Sequence, residues 1–482
     1  MLCSTGLHDV CSLLLNSVIM RFSLGIRSTF FLYIGLGILP GILVGEDLAG
    51  DAGYEPVLWL QEYVQIDTTN PPGNEAVAAE YLASRFEAAG IATRRLVDPN
   101  GRTSLYARIE SPASQGRALA LIHHIDVVPA DGEWQEPPFS GRLRDGTLWG
   151  RGVVDVKSLG IAQLAAILSL VRDGVQLDRD LIYLAVADEE LGGKAGAAFV
   201  LENHADLFAG LEGVLNEGGS NRVIGDRLLW WGVEVTQKRA LWLRVSARGR
   251  GGHGSQLNPQ SATHELIRGL GRLVDRPQRF RITEAARRYL EAVDAVESRP
   301  NPLSARLDEV IQEDGPTETL APGLPALFLD TVQVTEIDNG RGPNVVSPTA
   351  RASIDIRLLP DTDAEAFLES VRETLGSRLD VEVVLTSPPV DASPADHPLF
   401  LALEDALGVR APVVPMMMTG ITDSRYFRQR GIPAYGFSPF SLDRGDVRGI
   451  HAPNESMSAE EFLRGIETLR RVIVAYAGSE EP

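Results

Sequence analysis

The chain has 482 residues and a formal net charge of -20. This length supplies enough apolar side chains for a buried core and predicts more than one domain. The acidic balance disfavours nucleic acid or an anionic membrane surface as a partner, because both repel negative charge. The only cysteines, Cys3 and Cys11, lie near the N-terminus, so a metal site in the rest of the chain must use histidine and carboxylate ligands.

The first 50 residues have the composition of a targeting segment. Arg21 and Arg27 precede an apolar run over residues 29–45, after which acidic residues begin. This order resembles a secretory signal peptide or a short membrane anchor, and no clear Ala-x-Ala site decides between the two. We therefore expect an exported protein, periplasmic or extracellular, that is either cleaved or tethered to the membrane through its N-terminus. The polar segment before Met20 leaves Met1 and Met20 as alternative starts.

From about Tyr54 onward, short apolar strands alternate with helices, which predicts an α/β domain whose sheet is covered by helices on both faces. Strand-like runs at 118–122 and 181–186 lead directly into polar residues. We assign residues 51–236 to the first part of this domain and residues 389–482 to its second part.

A different pattern begins near Gln237 and predicts a small α+β module at 237–388 that is inserted into the first domain. Its expected elements are a strand at 241–245, a helix at 262–274, a strand at 352–357 and a helix at 363–375. A polar insertion at about 276–325 separates the first helix from the later strands.

Two groups of candidate ligands follow predicted strands. His124 and Asp126 are two residues apart, and in an extended chain this spacing points both side chains to one side. A metal-bound histidine commonly needs an acceptor for its other ring nitrogen, which Asp126 could provide. Glu189 and Glu190 follow the strand at 181–187, where adjacent acids repel one another unless a cation or proton lies among them.

Three further candidates have ordinary explanations when each is taken alone. Asp155 precedes a predicted helix and could be an N-cap, Glu217 could belong to an acidic turn, and His451 could be a solvated loop residue. However, acids and a histidine recur at the ends of successive strands, which is where open α/β sheets place their ligand sites. The joint pattern favours a metal site.

These residues resemble a family of zinc metallopeptidases that includes aminoacylase, bacterial glutamate carboxypeptidase, carboxypeptidase S and succinyl-diaminopimelate desuccinylase. The matching motifs are His-Ile-Asp-Val-Val-Pro at 124–129, Gly-Arg-Gly-Val-Val-Asp-Val-Lys at 150–157 and the Glu-Glu pair at 189–190. The resemblance implies that Asp155 bridges two metals and that Glu189 is the general base. It also implies that Asp126 is the acid that orients His124. It also implies the metal ligands His124, Asp155, Glu190, Glu217 and His451.

The inserted module resembles the lid of that family. The resemblance implies substrate contacts from His253 in Gly-Gly-His-Gly-Ser, often across a dimer interface, from Asn344 in Gly-Pro-Asn-Val-Val, and from Arg357. Gly420 lies in a Gly-x-Thr-Asp loop that in the family stands beside the substrate carboxylate. A homodimer is therefore expected.

The expected architecture is an α/β zinc-peptidase-like catalytic domain with a mixed sheet flanked by helices, plus an inserted ferredoxin-like lid and dimerisation domain. The expected activity is hydrolysis of an amide or peptide bond next to a free C-terminal carboxylate, with two Zn²⁺, for which Co²⁺ or Mn²⁺ could substitute. A carboxypeptidase or dipeptidase is the first alternative and an N-acyl-amino-acid amidohydrolase of the aminoacylase type the second. A non-catalytic peptide-binding relative is a third alternative.

Overall fold

The computed structural model describes residues 54–225, 227–312, 320, 323–340, 342–443, 447 and 449–479. The predicted targeting segment and both alternative starts lie outside these ranges. Among the described helices, none is both long enough and apolar enough to cross a bilayer.

The helices of the described chain are numbered in order. They are α1 (Glu55–Gln65), α2 (Glu75–Ala88), α3 (Lys157–Arg172), α4 (Phe199–Asn203), α5 (Ala262–Val274), α6 (Glu284–Glu297), α7 (Leu307–Gln312), α8 (Ala364–Leu375), α9 (Pro398–Gly408), α10 (Ser424–Arg428) and α11 (Ala459–Ala477).

The strands are numbered in the same way. They are β1 (Thr93–Val97), β2 (Thr103–Ile109), β3 (Ala118–His124), β4 (Arg142–Arg144), β5 (Thr147–Trp149), β6 (Asp180–Val186), β7 (Leu211–Asn216), β8 (Arg222–Ile224), β9 (Arg227–Gln237), β10 (Arg239–Arg248), β11 (Gly252–His253), β12 (Thr331–Asp338), β13 (Val345–Val346), β14 (Thr349–Leu358), β15 (Leu379–Thr386), β16 (Val413–Met418), β17 (Ala434–Gly436) and β18 (Ser456–Ser458).

The larger sheet is mixed and has the order β1-β2-β6-β3-β7-β17-β9-β16, with β8 paired to β9. Its centre is parallel, since β3 runs parallel to both β6 and β7. Every residue of β3 and β6 is buried, which is typical of parallel strands covered on both faces. Apolar side chains of α1, α3, α9 and α11 cover one face, and those of α4 and α10 cover the other. The predicted mixed sheet flanked by helices is confirmed.

The smaller sheet is antiparallel and has the order β12-β14-β10-β15. Alternate residues of β10 and β14 point into a core that they share with α5 and α8. Both helices start at side-chain caps, Ser261 for α5 and Asp363 for α8, each of which accepts backbone N–H groups. The face of the sheet opposite the helices carries Trp242, which lies directly across from Asp355.

The passage from the larger to the smaller sheet occurs between the end of β9 at Gln237 and the start of β10 at Arg239. All strands and helices of the smaller sheet lie inside the range 237–388, whose boundaries stay a prediction. The polar insertion at 276–325 contains α6 and α7, which the sequence pattern did not predict. Helix α6 packs against β9 and β16 of the larger sheet.

Candidate metal centre

The strand ends of the larger sheet bring three of the predicted ligands together. His124 is the last residue of β3, and Glu217 directly follows β7. Glu189 and Glu190 lie in a short 3-10 turn that begins three residues after β6. Because β6, β3 and β7 are parallel neighbours, their carboxyl ends meet at one edge of the sheet.

Asp155 does not cap a helix. Helix α3 begins at Lys157 with Val156 as its N-cap residue, and the Asp155 carboxylate instead faces two histidines. Its Oδ1 lies 3.2 Å from Nε2 of His124, and its Oδ2 lies 3.0 Å from Nε2 of His451. The N-cap interpretation is therefore wrong, because Val156 is the N-cap residue and the Asp155 carboxylate contacts the two imidazoles.

The remaining donors extend this arrangement on both sides. Glu217 Oε1 is 3.7 Å from Nε2 of His124, and Glu190 Oε2 is 3.2 Å from Nε2 of His451. Two ligands of one tetrahedral zinc ion, each bound at 2.0–2.1 Å, are separated by about 3.3 Å. The donor spacings match this value, with Asp155 shared between a His124–Glu217 group and a His451–Glu190 group.

The carboxylate of Asp126 does not orient His124 in the way that the sequence suggested. The ring Nδ1 of His124 contacts the backbone carbonyl oxygen of Asp126 at 2.8 Å, whereas the nearest carboxylate oxygen is 3.8 Å away. The Asp126 carboxylate accepts the backbone N–H groups of Glu189 and Glu190 at 3.0 and 3.2 Å. It also accepts the Asn70 side-chain amide at 2.8 Å. Asp126 therefore positions His124 through its backbone carbonyl and the turn at 189–190 through its carboxylate.

Glu455 is a residue of the site that the sequence did not indicate. Its carboxylate accepts the backbone N–H groups of Gly152, Val154 and Asp155 at 2.9, 2.7 and 2.9 Å, and Arg151 Nη1 donates to it at 2.8 Å. Glu455 is fully buried. Glu455 lies four residues after His451. Its hydrogen bonds therefore hold the loop that carries His451 against the loop that carries Asp155.

The electrostatics of the site fit bound cations. Burial raises the pKa of Glu217 to about 8, and burial together with the charge of Glu217 raises the pKa of Glu189 well above its usual value. Burial acts to lower the pKa of His124, but the carboxylates, Glu217 first, raise it well above normal. Hydrogen bonds to Asp155 and Glu190 raise the pKa of His451 to about 10.

Two carboxylate oxygens support the same interpretation. Oε1 of Glu189 and Oε1 of Glu190 are buried and hydrogen-bond to no group of the described chain. Such acceptors are costly to bury without a partner, which a divalent cation or a bound water would supply. Ligand atoms of His124, Asp155 and Glu190, and of His124, Glu189 and Glu217, lie close enough together to hold a metal ion. The donor set suits zinc, cobalt or manganese.

A cavity of about 330 Å³ adjoins the metal ligands. From the smaller sheet it is lined by Trp242 and Arg357, and from the loop after β16 by Gly420 and Ile421. Two of the predicted substrate residues, Arg357 and Gly420, thus lie at the site. His253 and Asn344 do not occur among the described residues that line this cavity; both are exposed, and the backbone of Asn344 accepts the N–H group of Gly254.

Arg357 is already paired on one side. Its Nε and Nη2 donate to the two carboxylate oxygens of Asp355 at 2.7 and 2.9 Å. Its guanidinium lies over the ring of Trp242, with 5.6 Å between them. No hydrogen bond from Nη1 to another described residue is found, and Arg357 is part of the cavity lining.

The rest of the cavity is largely apolar, which the sequence analysis did not predict. Beyond the metal ligands, the lining includes Leu159, Met418, Phe437, Phe440, Leu442 and Ile450. A sequence signal for this wall is the aromatic run Tyr435-Gly436-Phe437-Ser438-Pro439-Phe440, which begins in β17 and continues beyond its end.

Comparison with known proteins shows what the chain is similar to. A profile of the peptidase family M20/M25/M40 matches residues 120–475. Aminoacylase-1A from Rattus norvegicus is 26% identical over 437 residues, which is 89% of this chain and 96% of that protein. The N-fatty-acyl-amino acid synthase/hydrolase PM20D1 from Xenopus tropicalis is 29% identical over 361 residues, 70% of this chain and 69% of that protein.

The fold is also found in a solved structure. The M20 family metallo-carboxypeptidase Sso-CP2 from Sulfolobus solfataricus superimposes with a TM-score of 0.67 at 19% identity and covers 88% of this chain and 99% of its own.

Proposed function

Since the chain belongs to the peptidase family M20/M25/M40, and so hydrolyses amide or peptide C–N bonds, we propose that it is a dinuclear zinc enzyme that cleaves an amide next to a free carboxylate. The observation that carries this proposal is the position of Asp155, whose two oxygens face His124 and His451 separately at 3.2 and 3.0 Å. A carboxylate placed in this way is suited to bridge two cations.

The side chains divide into two ligand groups. His124, Asp155 and Glu217 would hold one cation, and Asp155, Glu190 and His451 the other. Bound there, the cations would lower the pKa of a water molecule and polarise the scissile carbonyl.

Glu189 is the proposed general base. It is buried, its Oε1 is unpaired within the described chain, and burial raises its pKa well above that of an ordinary glutamate. A carboxylate with a raised pKa takes a proton from water more readily at neutral pH and passes it on to the leaving nitrogen. Asp126 fixes its position by accepting the backbone N–H of Glu189.

The substrate carboxylate would bind at Arg357. The Nη1 group can donate a charge-assisted hydrogen bond, while Asp355 holds the guanidinium in place through the other two nitrogens. His253 and Asn344 keep their predicted roles as proposals. Because both are exposed and outside the cavity of this chain, those roles require a second copy of the chain or a movement of the smaller sheet.

The apolar lining favours an N-acyl amino acid over a peptide with a free amino group. A substrate ammonium would lose its hydration against Phe437, Phe440 and Met418, which is costly without a dedicated partner. An acyl group gains free energy from the same wall. The aminoacylase similarity supports this choice. A carboxypeptidase or dipeptidase is the second candidate, since Arg357 would serve either substrate.

A substrate screen tests the proposal. Purified protein reconstituted with zinc should hydrolyse N-acetyl amino acids faster than the corresponding dipeptides, and a chelator should abolish the activity until zinc is restored. Hydrolysis that survives complete removal of metal would contradict the dinuclear mechanism. Faster cleavage of dipeptides would favour the second candidate, a carboxypeptidase or dipeptidase, over hydrolysis of N-acyl amino acids.

We further propose that the chain is exported. The support is the order of basic and apolar residues in the first 50 positions. N-terminal sequencing of the mature protein would show whether the chain begins at Met1, at Met20 or after a cleavage site.

A further inference from the structure

A second chamber adjoins the cavity at the metal centre. It has a volume of about 710 Å³, within the range of about 300–1,000 Å³ that is usual for small-molecule sites. Met418, Gly420, Leu442 and Ile450 line both spaces. The chamber is therefore adjacent to the cavity in which the proposed hydrolysis takes place.

The walls of the chamber come from two parts of the fold. The larger sheet contributes Trp230 of β9 and Met416 and Met417 of β16. The segment between α5 and β12 supplies the opposite wall through apolar side chains of α6 and of the turn at 324–327. These are Tyr289, Leu290, Val293, Leu324 and Leu327.

Four charged residues also line the chamber, and they are Arg222, Glu297, Arg299 and Asp443. Glu297 accepts the indole N–H of Trp230 at 3.1 Å and pairs with Arg299 at 2.6 Å. Most of the other side chains in the lining are apolar or thioether groups. Methionine side chains are flexible and fill irregular space, so a wall that contains them adapts to an apolar ligand.

The position of Arg357 decides which half of the substrate enters the chamber. Arg357 and Trp242 line the metal cavity but do not occur among the described residues of the chamber wall. A substrate whose carboxylate binds Arg357 therefore has its amino-acid half on that side of the metal centre. The other half, beyond the scissile carbonyl, is the acyl group.

We propose that this chamber is the subsite for the distal part of a long acyl chain, and that α6 and the turn at 324–327 form the wall that selects chain length. The inference rests on the proposed function. Each methylene that moves from water into an apolar site contributes about 0.8 kcal/mol, which corresponds to about fourfold in kcat/KM. Activity should therefore rise with acyl length until the chamber is full.

The test compares N-acetyl-, N-hexanoyl- and N-dodecanoyl-L-leucine with the zinc-loaded full chain. We expect kcat/KM to rise by about fourfold for each added methylene over part of the series. If the acetyl compound is hydrolysed and longer acyl groups give no gain, the chamber proposal fails while the proposed function stands. If no member of the series is hydrolysed and dipeptides are, the proposed function itself fails.

A variant of the chamber wall tests its location. Leu324 is half-buried and lines the chamber but not the metal cavity, so Leu324→Trp should lower kcat/KM for the dodecanoyl substrate at least tenfold and leave the acetyl substrate unchanged. Leu401→Trp is the matched control, because Leu401 lies on α9 and is 49% exposed. Equal loss with both substrates, or equal loss in the control, would overturn the proposal.

A second variant covers the case in which the tryptophan does not fold. Leu324→Ala removes contacts without adding bulk and should reduce the gain for the dodecanoyl substrate while the acetyl substrate is again unchanged. Free dodecanoate should inhibit the wild-type chain by competition, and more weakly in this variant. Equal inhibition of both proteins would show that the acyl chain of dodecanoate binds outside this chamber.

Discussion

The metal centre and the apolar chamber are built on different principles although they share a wall. At the metal centre, each side chain has its own contact, as when Asp155 alone faces both His124 and His451. In the chamber, Met416, Tyr289, Leu324 and their neighbours supply interchangeable apolar area. The loss of one group at the centre should therefore be severe, whereas a change in the chamber should be graded and depend on substrate length.

The largest effect is expected from Glu189→Gln. The variant removes the proposed base but leaves every proposed ligand, so kcat should fall by about 10²–10⁴-fold while the bound metal is retained. Glu202→Gln, on the surface of α4, should behave as wild type. Because Glu189 is also near enough to His124 and Glu217 to bind a metal ion, loss of metal from the variant would show that it is a ligand instead.

A smaller effect is expected from Glu455→Gln. A glutamine cannot accept all of the N–H groups that now converge on the carboxylate, so the loop that carries Asp155 should lose its fixed position. Residues that orient ligands typically change metal affinity by about 10–100-fold. Titration of the metal-free protein with zinc measures this, with the exposed Glu467→Gln on α11 as control. Unchanged affinity would reduce Glu455 to a purely structural role.

Arg357→Ala should change substrate binding more than chemistry. Loss of one charge-assisted hydrogen bond to the substrate carboxylate should raise KM by about tenfold or more with little change in kcat. Arg244→Ala, on the neighbouring strand β10 and half-exposed, is the matched control. Steady-state kinetics with an N-acyl amino acid decide the matter, and an unchanged KM would remove Arg357 from the site.

The smallest effect concerns the stability of the metal-free protein. Burial raises the pKa of Glu217 to about 8, so the folded chain keeps a proton that the unfolded chain releases above about pH 4.3. Stability should therefore fall as pH rises from 5 to 8. In chelator, Glu217→Gln should show a flatter dependence of Tm on pH than wild type. Parallel curves would contradict the raised pKa.

The proposed ligands could be selected from the sequence because they are tied to chain position. Helix α5 and strands β3 and β6 lie where the apolar pattern placed them, and a ligand directly after a parallel strand is brought to the sheet edge by topology. Asp155 shows the limit of this reasoning. Its local pattern favoured an N-cap, whereas its contacts in the structure involve the distant residues His451 and Glu455.

The chamber could not be predicted from the sequence for a related reason. Tyr289 and Leu324 belong to a stretch with a polar composition, and they become a wall only because α6 packs against β16. Apolar residues from separate segments give no motif, since what they share is a surface and not a spacing. The hydrogen bond from Arg357 to Asp355 could likewise not be predicted from the sequence.

The most direct test of the dinuclear centre is the number of metal ions bound per chain. Elemental analysis of wild-type protein equilibrated with zinc should give two ions per chain, and Asp155→Ala should give at most one, because Asp155 is the only proposed ligand shared by both groups. One ion or none in the wild type, or two ions retained at full affinity in Asp155→Ala, would contradict the account.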